Sequence, residues 1–274
     1  HLPPAVFLAG LCAALFAMAR PSAVVILPSE YMSVVLAIDV SRSMQATDVS
    51  PDRITGAQEA ARIFVKELPR NIRLGIVTFA GTANIVQTIT DNREEMLAAI
   101  DRFELQRRTA TGSGLVVALS ALFPDAGIDI ESFVFDDDYG GWGGRGYGGG
   151  AKPIDSAKKK TPVKPFRPVP VGSYTGGAIV MLSDGRRTSG PDPVDIAKMA
   201  ADRGVRVYTV GFGSKEGATI PGMFGGGSFF ARLDEDALKA VAKITGGEYF
   251  HASTSADLKK VYQHLGLKFA LEKQ

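Results

Sequence analysis

The sequence predicts an α/β fold: a doubly wound, Rossmann-like, mostly parallel six-stranded sheet with one antiparallel edge strand and helices on both faces, preceded by a transmembrane helix. Three observations predict it. Short apolar runs rich in β-branched residues, such as Ser33–Asp39, Ile72–Ala80, Gly177–Asp184 and Val205–Gly213, read as strands buried on both faces. Amphipathic stretches of helical period separate most of them, the pattern of strands joined by helical crossovers. The first segment, Leu2–Ala19, carries no charge over eighteen residues, close to the length that spans a bilayer core of roughly 30 Å.

The elements follow in order. Residues 1–20 are expected to form a membrane anchor, with Pro3 and Pro4 at the helix start, where a missing N–H is harmless, and Arg20-Pro21 at its end. A secretory signal ending at Ala17-Met18-Ala19 and a buried core helix are the alternatives. Cys12 reads as a small apolar residue. The domain proper is expected over 33–265. Its first strand, "SVVLAID", leads to a helix within Ser50–Leu68, with Ser50 or Asp52 as cap. "IRLGIVTFA" and "ANIVQTIT" read as two strands, antiparallel across a turn at Gly81. "NREEMLAAIDRF" and "GSGLVVALSALF" are helices, then "GAIVMLSDG" a strand and turn. "DPVDIAKMAADRG" is a helix with Pro193 in its first turn and Gly204 past its end. "VRVYTVGFG" is a strand, "DEDALKAVAKITGG" a helix, "EYFHA" a last short strand and "SADLKKVYQHL" a last helix. Residues 266–274 are expected to be a juxtamembrane tail, and a chain opening on His1 is expected to be a piece of a longer protein.

One block breaks the rhythm. Pro124–Tyr174 is dominated by Gly, Pro and charge, which predicts a flexible insertion within the domain. Its Gly141, Gly143 and Gly146 fit a dinucleotide-binding spacing, but without a strand before or a helix after, the match has no content. Trp142, Tyr139 and Tyr147 near Lys158–Lys160 could stack on RNA; a net charge of +2 gives nucleic acid no wider support. One cysteine excludes an intrachain disulfide, and three scattered histidines, His1, His251 and His264, argue against a zinc or histidine-based catalytic centre.

The chemistry gathers at strand ends. Asp39 ends the first strand and Ser41 and Ser43 follow at alternate positions; Asp184 ends another strand; Thr109 and Thr111 precede a helix. In an open α/β sheet, ligands bind at the carboxyl ends of the strands, so both carboxylates are expected on one rim. In D-x-S-x-S the chain leaving the strand curls so that every second side chain faces one centre. An all-oxygen set of carboxylates and hydroxyls suits a divalent cation, Mg²⁺ first and Mn²⁺ or Ca²⁺ as alternatives. The plainer reading has Asp39 and Ser41 capping the next segment and Asp184-Gly185 forming an ordinary turn.

Asp39-x-Ser41-x-Ser43, Thr109 and Asp184 resemble the metal-ion-dependent adhesion site of von Willebrand factor A domains. With "DVSRSM", "RLGIVTFAG", "RVYTVGFG" and "ITGGEYFHA", the chain looks like the bacterial membrane-anchored A-domain proteins of the BatA/BatB aerotolerance type. The resemblance selects Thr109 rather than Thr111 as a metal ligand. It also shows a departure: Arg42 and Arg108 stand where the family has glycine. It implies binding rather than catalysis, with a partner protein's Asp or Glu completing the cation's coordination. A metal-dependent phosphatase or hydrolase and a passive envelope scaffold with a structural metal are the rival classes. Arg42, Arg108, Arg186 and Arg187 would form a basic rim toward an acidic partner surface. It further implies a bacterial inner-membrane location with the domain in the periplasm, and work beside a MoxR-type AAA+ ATPase and related A-domain proteins.

Overall fold

The structure, a computed structural model, describes residues 2–18, 31–130, 167–223 and 227–271. Two compact units divide the chain, 1–30 and 31–274. The first contains helix α1, Leu2–Met18. Its seventeen residues at about 1.5 Å each reach about 26 Å. Among the described residues no helix is long and apolar enough to cross a membrane.

The second unit is built on a six-stranded sheet. Its strands are β1 (Met32–Asp39), β2 (Ile72–Phe79), β3 (Ala83–Thr90), β4 (Gly177–Ser183), β5 (Arg206–Phe212) and β8 (Tyr249–Ala252). Their order is β3-β2-β1-β4-β5-β8, with β3 antiparallel at one edge and the remaining pairs parallel, as the sequence predicts. Alternate residues of β1 serve opposite faces: Val34, Leu36 and Ile38 enter one core, Val35 and Ala37 the other. That is why the strand reads as an unbroken apolar run.

Helices cover both faces. α2 (Arg53–Glu67), α3 (Arg93–Asp101) and α7 (Ser255–Leu271) bury Phe64, Met96 and Tyr262 on the first core. α4 (Thr111–Leu122), α5 (Pro193–Asp202) and α6 (Glu235–Thr245) bury Leu115, Ile196 and Val241 on the second. Local chemistry sets their ends. Asp52 caps α2 by accepting from the Thr55 N–H at 2.7 Å, Asn92 caps α3, and Asp192 and Asp234 cap α5 and α6. Gly246 closes α6 in the left-handed conformation.

One element was not expected: a two-stranded antiparallel hairpin, β6 (Ala218–Met223) with β7 (Gly227–Ala231), inserted between β5 and α6. Of the Gly/Pro-rich block, residues 131–166 lie outside the described residues. Its flanks are packed: Ile128 and Ile130 lie against the second core, and Tyr174 stacks on Phe123 with ring centroids 5.0 Å apart.

The chain leaves β1 toward β2 and β3 on one side, then returns to β4 on the other. The direction of winding therefore reverses between β1 and β4, and a crevice opens beyond their carboxyl ends. Asp39 and Asp184 stand at that point.

Candidate metal centre

The β1 end places Asp39 fully out of solvent. Its Oδ1 accepts the Ser41 N–H at 2.8 Å, and its Oδ2 accepts the Ser183 hydroxyl at 2.6 Å. Both bonds aim the carboxylate. A short 3₁₀ turn, Arg42–Gln45, then curls the chain so that the Ser41 and Ser43 hydroxyls lie 2.8 Å apart. Val40 and Met44 between and beyond them are buried in the core, as the alternation requires.

Asp184 follows β4 and is likewise fully buried. Its Oδ1 accepts the Arg186 N–H at 3.2 Å, and its Oδ2 faces the Arg53 guanidinium at 3.5 Å. The Ser43 hydroxyl also bonds to it. The next residue, Gly185, has φ +78°, and a Cβ there would lie 1.9 Å from the Asp234 carbonyl oxygen, so only glycine fits.

Thr109, buried, arrives by a backbone route. Its N–H donates to the Thr188 hydroxyl at 2.7 Å, and its carbonyl accepts from the N–H groups of Thr188 and Ser189 at 2.9 and 3.1 Å. The Gln106 N–H donates to the Val40 carbonyl at 2.8 Å, which draws the loop before α4 against the end of β1. Thr111 begins α4 with its buried hydroxyl unpartnered. Four of the five expected ligands, Asp39, Ser41, Ser43 and Asp184, thus meet through contacts of their side chains, and Thr109 is tied to the same rim through the 188–189 loop.

The rim arginines differ from one another. Arg108, Arg186 and Arg187 are exposed and Arg42 is half-buried. Arg187 donates to the Gly190 carbonyl at 2.9 Å, which holds it on its own loop. Arg108 has φ +67°, the left-handed conformation that glycine takes easily, at a position where the sequence departs from a glycine pattern. Beside Arg186 opens a pocket of about 520 Å³ lined by Lys215, Arg232, Asp234 and Glu235 among others.

Three participants were not expected. Ser183 looked like an ordinary strand residue. Arg53 is completely buried, and its Nε and Nη2 reach the two oxygens of Asp48 at 2.8 and 2.6 Å. Asp48, whose side chain is 7% exposed, also accepts the Ser214 N–H at 2.7 Å. The only sequence signal was Arg53 at the first turn of a helix, where a cation opposes the helix dipole and needs a carboxylate partner.

The electrostatics follow from burial. Asp39 is pushed up to about 7, first by loss of water and then by the nearby charge of Asp184; its bonds to Ser183 and Ser41 resist. Asp184 is also raised, burial outweighing the Ser43 bond and the Arg53 charge. Burial pushes Asp48 up as well, but the Arg53 and Ser214 hydrogen bonds outweigh it and hold that carboxyl below its usual range. Two fully buried carboxylates, Asp39 and Asp184, and the largely covered Asp48 thus share one buried guanidinium, which contacts Asp48 and Asp184. The site is short of positive charge, which a proton or a divalent cation would make good. The donors are hard oxygens, which suit Mg²⁺ or Mn²⁺. Among the described residues no group of three or more His, Cys, Asp or Glu side chains could hold a metal ion without help, so a cation here would depend on the serine and threonine hydroxyls.

Comparison with known proteins bears on the family and the fold. Residues 34–130 match the von Willebrand factor type A domain family. A UPF0353 protein of Nocardia farcinica is 36% identical across 97% of this chain and 71% of its own length. Among solved structures, a conserved hypothetical protein BatB from Bacteroides thetaiotaomicron superposes with a TM-score of 0.61 at 24% identity, over 88% of this chain and 99% of that one. An aerotolerance-related membrane protein from Bacteroides fragilis gives 0.61 at 22% identity, over 86% and 99%. Proximal thread matrix protein 1 from the mussel byssus, in a structure with a zinc-occupied MIDAS motif, gives 0.51 at 15% identity, over 87% and 46%. At these identities the structures speak to the fold. The sequence relationship and the fold together make the chain a member of the UPF0353 family with a von Willebrand factor type A domain.

Proposed function

We propose that the chain is a cation-dependent protein-binding module, which captures a carboxylate of a partner protein through a divalent ion, Mg²⁺ first, held by Asp39, Ser41, Ser43, Thr109 and Asp184. The observation that carries this reading is the shortage of positive charge: two fully buried carboxylates, Asp39 and Asp184, and the largely covered Asp48, with Arg53 the one buried guanidinium among the described residues. The ion would supply a Lewis-acidic position for an anionic oxygen. The chain's own residues orient and compensate. Ser183 and the Ser41 N–H hold the Asp39 carboxylate, and the Arg186 N–H holds Asp184. Where Asp39 and Asp184 hold the ion through water, the oxygens bonded directly to it would be neutral serine and threonine hydroxyls, which favours a negatively charged incoming ligand. The mussel protein with zinc at its MIDAS motif supports an ion at the corresponding position of this fold.

Exposed Arg108 and Arg186, with Arg42, would speed encounter with an acidic surface. Uncharged α1 and the likeness to the aerotolerance-related membrane protein from Bacteroides fragilis support a bacterial inner-membrane location. A periplasmic domain and a role in assembling or activating proteins with a MoxR-type AAA+ ATPase extend the same reading. The test is capture of partners from solubilised membranes by the full chain, with Mg²⁺ or with EDTA. Capture that is lost with EDTA and restored by Mg²⁺ supports the proposal; a partner held equally well in EDTA contradicts it.

A further inference from the structure

The hairpin β6–β7 is rooted in the candidate metal centre at both ends. At its exit, the Asp234 N–H donates to the Asp184 carbonyl at 2.8 Å, with Gly185 pressed against the Asp234 carbonyl. At its entrance, Asp48 Oδ2 accepts at once from Arg53 Nη2 at 2.6 Å and from the Ser214 N–H at 2.7 Å. Gly213, φ +130°, lies close against the guanidinium: a Cβ there would sit 2.5 Å from Arg53 Cζ. The base of the hairpin packs on the same loop from another side, where Ile220 and Ala231 cluster with Ala46 just past Ser43. Arg53, fully buried, thus touches both a candidate ligand, Asp184, and the carboxylate that holds the hairpin's entrance.

We propose that Arg53 is a positioning residue that couples cation binding at Asp184 to the root of the β6–β7 hairpin; this rests on the reading of the site as a cation site. Arg53 divides its charge unequally. Its contacts with Asp48 are short, 2.8 and 2.6 Å, and its contact with Asp184 is long, 3.5 Å. A cation arriving beside Asp184 attracts that carboxylate and repels the guanidinium. The long contact yields first, and Arg53 commits more fully to Asp48. A better-neutralised and better-fixed Asp48 grips the Ser214 N–H in a fixed place, and the hairpin entrance tightens beside the pocket lined by Lys215, Arg186 and Arg232. Coupling of this kind is reciprocal: whatever loosens the Asp48 grip also lowers affinity for the cation. The pocket next to the ion would then be firmly shaped only when the ion is present, so that a partner meets a finished surface at the same moment as the metal.

The test is amide hydrogen exchange at Gly213–Gly217 of the full chain, with and without Mg²⁺, beside calorimetric titration of Mg²⁺ alone. In the wild type, exchange at Ser214 is expected to slow several-fold with Mg²⁺. Asp48→Asn is expected to weaken Mg²⁺ binding several-fold and to abolish the Mg²⁺-dependent slowing. The paired variant Asp48→Asn/Arg53→Met leaves no buried guanidinium unpaired, which guards against misfolding. It is expected to bind Mg²⁺ still, with exchange at Ser214 indifferent to it. Wild-type protein that binds Mg²⁺ with unchanged exchange at Ser214, or a paired variant that keeps the slowing, overturns the coupling while leaving the cation site standing. Wild-type protein that binds no Mg²⁺ overturns the cation site and the coupling together.

Discussion

Asp39 and Asp184 stand at the ends of two adjacent parallel strands, both fully withdrawn from water, and burial first, then the charge of Asp184, raises the pKa of Asp39. Two carboxylates so placed oppose each other when both ionise, and one buried guanidinium relieves only part of the cost. The site is therefore tuned to take up positive charge, either as a proton or as a cation.

That competition sets a pH dependence. Asp39 rises from the ordinary 3.8 to about 7 in the folded, cation-free protein. Between those values the folded state holds a proton that the unfolded state has released, so the stability of the cation-free protein falls as pH rises through this window. A cation replaces the proton and removes the penalty. The rise in Tm produced by millimolar Mg²⁺ is expected to be small near about pH 5 and to grow up to about pH 8. Melting curves across this range check it; a shift independent of pH contradicts it.

Neutralising Asp39 separates binding from folding. Asp39→Asn keeps an acceptor for the Ser41 N–H and removes the repulsion with Asp184. The variant is expected to melt at or above the wild-type temperature without Mg²⁺, and to gain nothing when Mg²⁺ is added. Paired thermal scans give the answer directly.

Arg108 carries a backbone strain that glycine would relieve. Its φ of +67° costs a residue with a Cβ about 1–2 kcal/mol, and the extra freedom of glycine in the unfolded chain offsets about 0.5–1 kcal/mol of any gain. Arg108→Gly is expected to stabilise the fold by about 0.5–1 kcal/mol in urea titration. The same change removes a rim charge, so association with an acidic partner should slow most at low salt.

Gly185→Ala tests the tight contact behind Asp184. A methyl group placed 1.9 Å from the Asp234 oxygen, at φ +78°, must displace the entrance to α6. A loss of about 2–4 kcal/mol is expected in denaturant titration, with weaker Mg²⁺ binding where the protein still folds.

The Gly/Pro-rich block has edges that a deletion would expose. Removing 124–174 strips the Phe123–Tyr174 stacking and the contacts of Ile128 and Ile130 from the second core. Removing only 131–166, with a short Gly-Ser bridge, keeps them. The wider deletion is expected to lower Tm by several degrees more than the narrower one, because apolar burial is lost in addition to the slowly varying cost of loop closure.

Much of this was legible in the chain. Val34–Ile38 and Ala178–Leu182 read as strands because both faces of each are covered, and the caps Asp52, Asn92, Asp192 and Asp234 announce their helices. Asp39 and Asp184 were legible because strand ends at a reversal of winding collect ligands. The hairpin Ala218–Met223 with Gly227–Ala231 was not, since its strands are short and interrupted by Pro221 and glycines, so neither period nor length marks them. Arg53 was hidden for a different reason. An arginine in a helix's first turn reads as a solvated charge, and only the tertiary approach of Asp48 and Asp184 makes a buried one tolerable. The uncharged run at the start of the chain was legible as a helix, described over Leu2–Met18, because nothing polar interrupts it.

The most direct measurement is calorimetric titration of Mg²⁺, with Mn²⁺ in parallel, into the wild type and into Asp39→Ala. The account predicts one saturable site in the wild type and a loss of affinity of at least tenfold, about 1.4 kcal/mol, in the variant, which should remain folded. Equal binding by the two proteins, or none by the wild type, would contradict it.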